Sequence, residues 1–283
     1  SYGTASNPHP GMLAGDGYNC CRGTAHRQSA EGPAEWIWKP FEQESLSRPA
    51  WDAKHFCHLL GGRDVYLIGD STFGQQWGVV VNMILESGGT CQDRIHHRAS
   101  DFLAPGPGER GKSLQFWLEP LLSNASARAV IVTGTGAHYN QFGRFNRTVE
   151  WLAAFFAEHR ALFARDGRLR LIWRTNNAPH AECKKAQFSK PVKYEPGFML
   201  NAAPTKYGFW KAVALYDGMS VDRLGRTALV STILDVTPLY LRPDTHNPPD
   251  CLHYCFDANT GTPMSLMTYK LYEALMRPDK VCI

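Results

Sequence analysis

Apolar positions fall in short blocks separated by longer segments of helical periodicity. Val65-Tyr66-Leu67-Ile68 is an apolar run that ends in Gly69-Asp70-Ser71, and a helical pattern follows over about 72–87. Ala129-Val130-Ile131-Val132-Thr133 is a second run, ending in Gly134-Thr135-Gly136. The segment 148–163 then sets Trp151, Leu152, Phe155, Phe156, His159 and Phe163 along one helical stripe. A third run, 168–173, ends in Arg174-Thr175-Asn176-Asn177. The pattern further predicts a helix around 206–217, an apolar run at 228–236 and a last helix near 263–275. Short apolar runs alternating with helices of about ten residues or more predict an α/β fold with a mainly parallel sheet. In such sheets the polar loops at strand C-termini hold the site.

Residues 1–35 are rich in Gly, Pro, Ser and Asn and show little periodicity. They read as an extended lead-in, followed by the aromatic stretch Trp36-Ile37-Trp38-Lys39-Pro40 packed on the main body. There is no internal repeat and no low-complexity tract. One domain over 1–283 is expected, with 1–60 as its lead-in.

Lys and Arg (30) exceed Asp and Glu (26) by four, too little to imply a nucleic-acid partner. The longest apolar candidates, such as 79–85 with Asn82 inside it, fall far short of the roughly 18 residues a membrane span needs. The chain starts at Ser1 without a signal-peptide pattern, as expected of a processed protein or a trimmed chain, with membrane attachment only through a segment absent from it.

The eight cysteines, Cys20, Cys21, Cys57, Cys91, Cys183, Cys251, Cys255 and Cys282, are even in number and spread along the chain. That usage predicts four disulfides in a secretory protein, with the pairing left open. No Cys-x-x-Cys knuckle is present, so no metal site is expected. Two glycosylation sequons, Asn124-Ala125-Ser126 and Asn146-Arg147-Thr148, agree with the secretory reading.

Gly69-Asp70-Ser71 joins a strand end to a helix start. There a serine Oγ stands beside unpaired backbone N–H groups at the positive end of the helix dipole, the setting of a nucleophile whose oxyanion is held by main chain. The competing reading is an ordinary N-cap. Asp250-Cys251-Leu252-His253 adds the other half: an imidazole to take the serine proton and, three residues before it, a carboxylate to fix the tautomer.

With both blocks in view, the sequence resembles the SGNH/GDSL acyl hydrolases, and within them the PC-esterase group that includes the plant trichome-birefringence-like polysaccharide O-acetyltransferases. Trp36-x-Trp38-Lys39-Pro40 with Phe56 is similar to the family's Trp-rich lead-in. Thr133-Gly134-Thr135-Gly136-Ala137-His138-Tyr139 resembles its Thr-Gly-His-aromatic turn. Trp173-Arg174-Thr175 with Pro179-His180 resembles its Arg-Thr-x-Ser-Pro-x-His block. Leu234-Asp235-Val236-Thr237, Arg242-x-Asp244-x-His246 and Asp250-Cys251-x-His253-x-Cys255 follow its C-terminal run in order. The likeness covers roughly 35–276. It departs after the serine, where plant members carry Arg-Asn and this chain has Thr72-Phe73-Gly74-Gln75-Gln76, and after Cys255, where Phe256-Asp257-Ala258 replaces Leu-Pro-Gly.

The resemblance implies an SGNH-like three-layer α/β/α domain with Ser71 as nucleophile, His253 as general base and Asp250 as its orienter. Asp244 and His246 form a second acid–histidine pair of lower rank. Gly136 is the candidate oxyanion donor, His138 lines the same pocket, and Arg174 either orients substrate or braces the loop. Asn176, like Asn140 and Asn177, is a candidate for the side-chain amide of the family's third block. The function implied is a secretory-pathway O-acetyltransferase acting on a glycan, placed in the Golgi lumen with the extracellular space as the alternative, with no bound cofactor but an acetyl donor, acetyl-CoA or another acetyl carrier. A glycan O-acetyl esterase with the same triad is the alternative, and a non-catalytic glycan-binding protein ranks below both.

Overall fold

The computed structural model describes residues 50–106, 112–163, 168–177, 179–180, 183, 212–227, 229–242, 246–247, 250–254 and 264–277. Five strands, β1 (Asp64–Gly69), β2 (Ile95–Ala99), β3 (Ala129–Thr133), β4 (Leu169–Arg174) and β5 (Val230–Leu234), form one sheet in the order β2-β1-β3-β4-β5. All four pairings are parallel. Among the described residues seven α-helices accompany them: α1 (Ala53–Leu60), α2 (Ser71–Glu86), α3 (Leu114–Ser123), α4 (Phe142–Glu158), the short α5 (Arg160–Phe163), α6 (Val213–Gly225) and α7 (Ser265–Met276). A separate antiparallel pair joins β6 (His246–Asn247) to β7 (Asp250–Tyr254). The mixed α/β architecture expected from the alternating pattern is the one the chain adopts.

β3 and β4 are buried at every position, which is why β3 reads as an apolar run up to Thr133 and β4 as one interrupted only by Arg170 before Arg174: a parallel sheet covered on both faces has no polar side to alternate with. Their side chains divide between two cores. Val65, Leu67, Val130, Val132 and Ile172 pack with residues of α1, α2 and α7. Ile68, Ile131, Leu171 and Trp173 pack with residues of α3, α4 and α6.

The element boundaries differ from expectation in instructive places. α4 begins at Phe142, before the predicted 148, and yields at His159 to α5. α6 extends to Gly225, past the predicted 217, while 206–211 fall outside the described residues. Helices α1 and α3 and strands β2, β6 and β7 were not in the predicted pattern. The lead-in 1–49, with Trp36, Trp38, Cys20 and Cys21, lies outside the described residues, as do Cys255 and Cys282.

Two disulfides are present among the described residues. Cys57–Cys91 ties α1 to the turn before β2, and Cys183–Cys251 ties the segment after β4 to β7. No described helix is long and apolar enough to cross a membrane. Because β1 lies between β2 and β3, the strand order reverses at β1/β3, the switch point where open α/β sheets form their crevice. The loops beginning at Asp70 and Gly134 leave the sheet side by side at that point.

Candidate active site

The turn from β1 into α2 is shaped by Asp70. Its carboxylate accepts from the Thr72 N–H at 2.9 Å and from the Thr72 hydroxyl at 2.6 Å, closing the helix N-terminus. The capping role therefore falls to Asp70, and Ser71, the first residue of the helix, keeps its hydroxyl for other partners. Its N–H belongs to the set that a helix leaves unpaired at its positive end. Gly69 is required here, since a Cβ would sit 2.2 Å from the Phe73 ring. On the other side of the turn, His97 of β2 lies against Gly74, and burial holds its imidazole below the usual histidine pKa.

His253 of β7 meets this serine: its Nε2 lies 2.5 Å from the Ser71 Oγ across 182 residues of sequence. Gln75, one helical turn beyond Ser71, sets the approach. Its Nε2 donates to the Tyr254 carbonyl at 2.7 Å and its Oε1 accepts from the Tyr254 N–H at 3.2 Å. A side-chain amide thus pairs with β7 as a neighbouring strand would, fixing the backbone beside His253 to the helix that carries Ser71. The Tyr254 hydroxyl donates to the Leu239 carbonyl at 2.8 Å. From the other side, the His180 N–H donates to the Cys251 carbonyl at 2.9 Å, next to the Cys183–Cys251 bridge.

Asp250 opens β7 with its backbone opposite Asn247, but its carboxylate, and with it the orienting role expected of it, lies outside the described side chains. Asp244 lies outside the described residues altogether. His246 is buried, with Nε2 2.7 Å from His180 Nδ1 and Nδ1 2.8 Å from the His253 carbonyl. It stands behind His253, and the ring that reaches Ser71 is that of His253.

The remaining candidates occupy the walls. Arg174, at the end of β4, is 1% exposed. Its Nη2 donates to Thr72 Oγ1 at 2.7 Å, its Nη1 to Gln76 Oε1 at 3.1 Å, and its Cζ lies 3.6 Å from the Phe73 ring centroid. Burial lowers its pKa to about 10, with Asp70 and Asp217 opposing the shift, so it remains a cation at neutral pH. These contacts fit the bracing role of the two expected of it.

Gly136 packs on Asn176, where a Cβ would fall 2.5 Å from the amide nitrogen. The Asn176 amide donates to Asp217 Oδ1 at 2.6 Å and to the Thr135 carbonyl at 3.2 Å. Both amide hydrogens are thereby engaged, and Asn176 holds the Thr135–Gly136 turn from behind. Asp217 also accepts from the Asn176 N–H at 3.0 Å and from the Tyr240 hydroxyl at 2.7 Å. Burial raises its pKa from 3.8 to about 7 despite those donors. His138 lies farther along the same loop, 3.8 Å from Asp101 and edge-on to Phe102.

Three participants, Gln75, Asp217 and Tyr240, had no role assigned from sequence, and His180 was read only as part of the Pro179-His180 motif. Gln75 carried a signal, its four-residue spacing from Ser71 on one helix face. Asp217, mid-helix, reads as a solvated charge, and Tyr240 and His180 reach the site only through the fold. The two sequons differ in setting. Asn124 is exposed in a turn after α3, whereas Asn146 lies inside α4 and the hydroxyl of its buried Thr148 accepts from Tyr139. No group of His, Cys, Asp and Glu among the described residues is arranged to hold a metal ion. Compared with known proteins, the chain matches no family model and no curated protein sequence.

Proposed function

We propose that this chain is a secretory-pathway O-acetyltransferase that moves an acetyl group onto a glycan hydroxyl through a Ser71 acyl-enzyme. The observation that carries the reading is the 2.5 Å contact between Ser71 Oγ and His253 Nε2, made at the start of a helix and at the sheet's switch point. The strand order and the division of the core between two helix sets support an SGNH-like three-layer domain as its frame.

In the first half-reaction His253 Nε2 takes the Ser71 proton as Oγ attacks the acetyl carbonyl of the donor. The Ser71 N–H and the backbone N–H of Gly136 hold the developing oxyanion. Collapse expels the donor's leaving group, which receives the proton from His253, and leaves acetyl on Oγ. In the second half-reaction a glycan hydroxyl gives its proton to His253, attacks the acetyl-serine and departs as the ester, and the proton returns to Ser71. Asp250 holds the imidazole tautomer, as the family resemblance implies. The two disulfides support an oxidising compartment, and the Golgi lumen is the one the family resemblance implies.

Incubation with an isotope-labelled acetyl donor and a panel of glycans, read by mass spectrometry of the glycans, tests the reading. Label on a glycan hydroxyl is the expected result. Loss of acetyl from pre-acetylated glycans without transfer identifies an esterase, and glycan retention without either reaction identifies a binding protein.

A further inference from the structure

His180 and His246 form a buried chain whose three described ring contacts each call for a proton. His180 Nε2 lies 2.9 Å from the Tyr240 carbonyl, His180 Nδ1 lies 2.7 Å from His246 Nε2, and His246 Nδ1 lies 2.8 Å from the His253 carbonyl. The two rings are 4% and 1% exposed. Both terminal partners are carbonyl oxygens, which only accept. His180 must therefore donate from Nε2 and His246 from Nδ1. The contact between the rings needs one hydrogen more. Three contacts require three ring protons, whereas two neutral imidazoles carry two.

We infer that His180 and His246 share a single extra proton, as an imidazole–imidazolium pair that positions the His253 main chain. This rests on the reading of Ser71 and His253 as the reacting pair. Assigned to individual rings, His180 is neutral and His246 carries both N–H groups. The Tyr254 ring centroid lies 4.3 Å from that of His246, within the range of a cation–π contact. Among the described residues, the titratable and charged groups on the elements packed against the pair include Asp250, His253 and Tyr254 on β7, Tyr240 and Arg242 on the 237–242 turn, and Asp217 behind the Tyr240 hydroxyl. When the pair loses its shared proton, one contact sets lone pair against lone pair at hydrogen-bond distance. β7 then loses its tie at the residue that presents the imidazole to Ser71.

The pair therefore acts opposite to His253 in its pH dependence. His253 must be neutral to accept the Ser71 proton, so protonating it stops the reaction. The positioning pair must be protonated, so reactivity falls as pH rises through the titration of the pair. The outcome is a bell-shaped profile whose alkaline limb belongs to His180 and His246, neither of which touches the reacting atoms.

Two measurements test this on the intact chain. Nitrogen-15 NMR of histidine-labelled protein at neutral pH should show both His246 ring nitrogens protonated and one on His180; two neutral rings would overturn the proposal. The labelling rate of Ser71 by a fluorophosphonate, followed against pH, should show an alkaline fall in the unsubstituted protein. His246→Gln should label about 10- to 100-fold more slowly near neutral pH, the scale of a misplaced reacting group, and should lack that fall. An unchanged alkaline limb in His246→Gln would overturn the proposal. If the unsubstituted protein does not label at Ser71, the acyl-enzyme reading fails, and the NMR count alone decides for or against the shared proton.

Discussion

Arg174 donates from Nη2 to Thr72 Oγ1 at 2.7 Å, and the same hydroxyl donates onward to Asp70 Oδ1 at 2.6 Å. A buried cation at the end of β4 is thereby linked, through the residue after the nucleophile, to the carboxylate that caps α2. A guanidinium makes these contacts while stacking on Phe73; an ammonium has neither the plane nor the fork. Arg174→Lys is expected to lower stability by about 1–3 kcal/mol through the buried hydrogen bonds left unmade, and to slow Ser71 labelling by a serine-directed probe. Urea unfolding and probe kinetics on the same variant check it. An unchanged unfolding midpoint would remove Arg174 from the support of this turn.

Gln75 is the second support, and its partners are backbone. Gln75→Leu keeps the volume close but leaves the Tyr254 N–H and carbonyl unpaired in a buried setting, at about 1–3 kcal/mol for each group. The loss should be larger in Ser71 reactivity than in folding, because β7 retains its disulfide and its pairing with β6. Circular dichroism with probe labelling separates the two effects.

Reduction should act on the same strand from its other end. The Cys183–Cys251 bridge holds β7 two residues from His253, and removing a native disulfide costs about 2–5 kcal/mol. Dithiothreitol is expected to abolish Ser71 labelling before it unfolds the protein, and Cys183→Ser with Cys251→Ser should reproduce the loss. Intact-mass analysis after alkylation without reductant provides the companion measurement: eight alkylated thiols would contradict the disulfide assignment.

Asp217 makes stability depend on pH with a definite sign. Its folded pKa, about 7, lies above the ordinary 3.8, so the native state binds this proton more tightly than the unfolded chain does. The contribution is fully present below about pH 4 and is lost as pH rises to about 7. Asp217→Asn should therefore remove part of the stability difference between about pH 5 and about pH 8. Urea midpoints of both proteins at the two pH values read it directly. Equal differences in the two proteins would mean that Asp217 titrates as an exposed carboxyl.

What was legible from sequence follows from how each part is buried. β1, β3 and β4 are central strands, so their apolar runs stand out against the polar loops that follow them. β2 reads Ile-His-His-Arg-Ala because it is an edge strand and only partly buried, which leaves neither an apolar run nor an alternation to find. α3 contains Pro120, a residue that argues against a helix interior wherever it is met without its fold. α1 is short, and its signals are the i, i+3, i+7 spacing of Ala53, Phe56 and Leu60 together with its ends, Asp52 accepting from the His55 N–H and Gly61 closing the helix at φ 57°.

The site divides in the same way. Ser71 and His253 lie in compact motifs whose chemistry requires those residue types together. Asn176 and Arg174 stood out as polar residues at a strand end, yet both face inward, because the turns carrying Gly136 and Ser71 need buried partners to hold their shape. Asp217, Tyr240 and His180 come from three separate segments, and only the fold shows that their polar atoms converge.

The most direct measurement is peptide mapping of the protein after incubation with an isotope-labelled acetyl donor in the absence of a glycan. One labelled acetyl ester on Ser71 is expected. It should be discharged when an acceptor glycan is added, be absent in Ser71→Ala and be severely reduced in His253→Ala. Asp250→Asn should form it up to about 10⁴-fold more slowly, the scale of a lost triad carboxylate. Folded protein that acquires no acetyl on Ser71, or that acquires it equally well as His253→Ala, would contradict a Ser71–His253 acyl-enzyme mechanism.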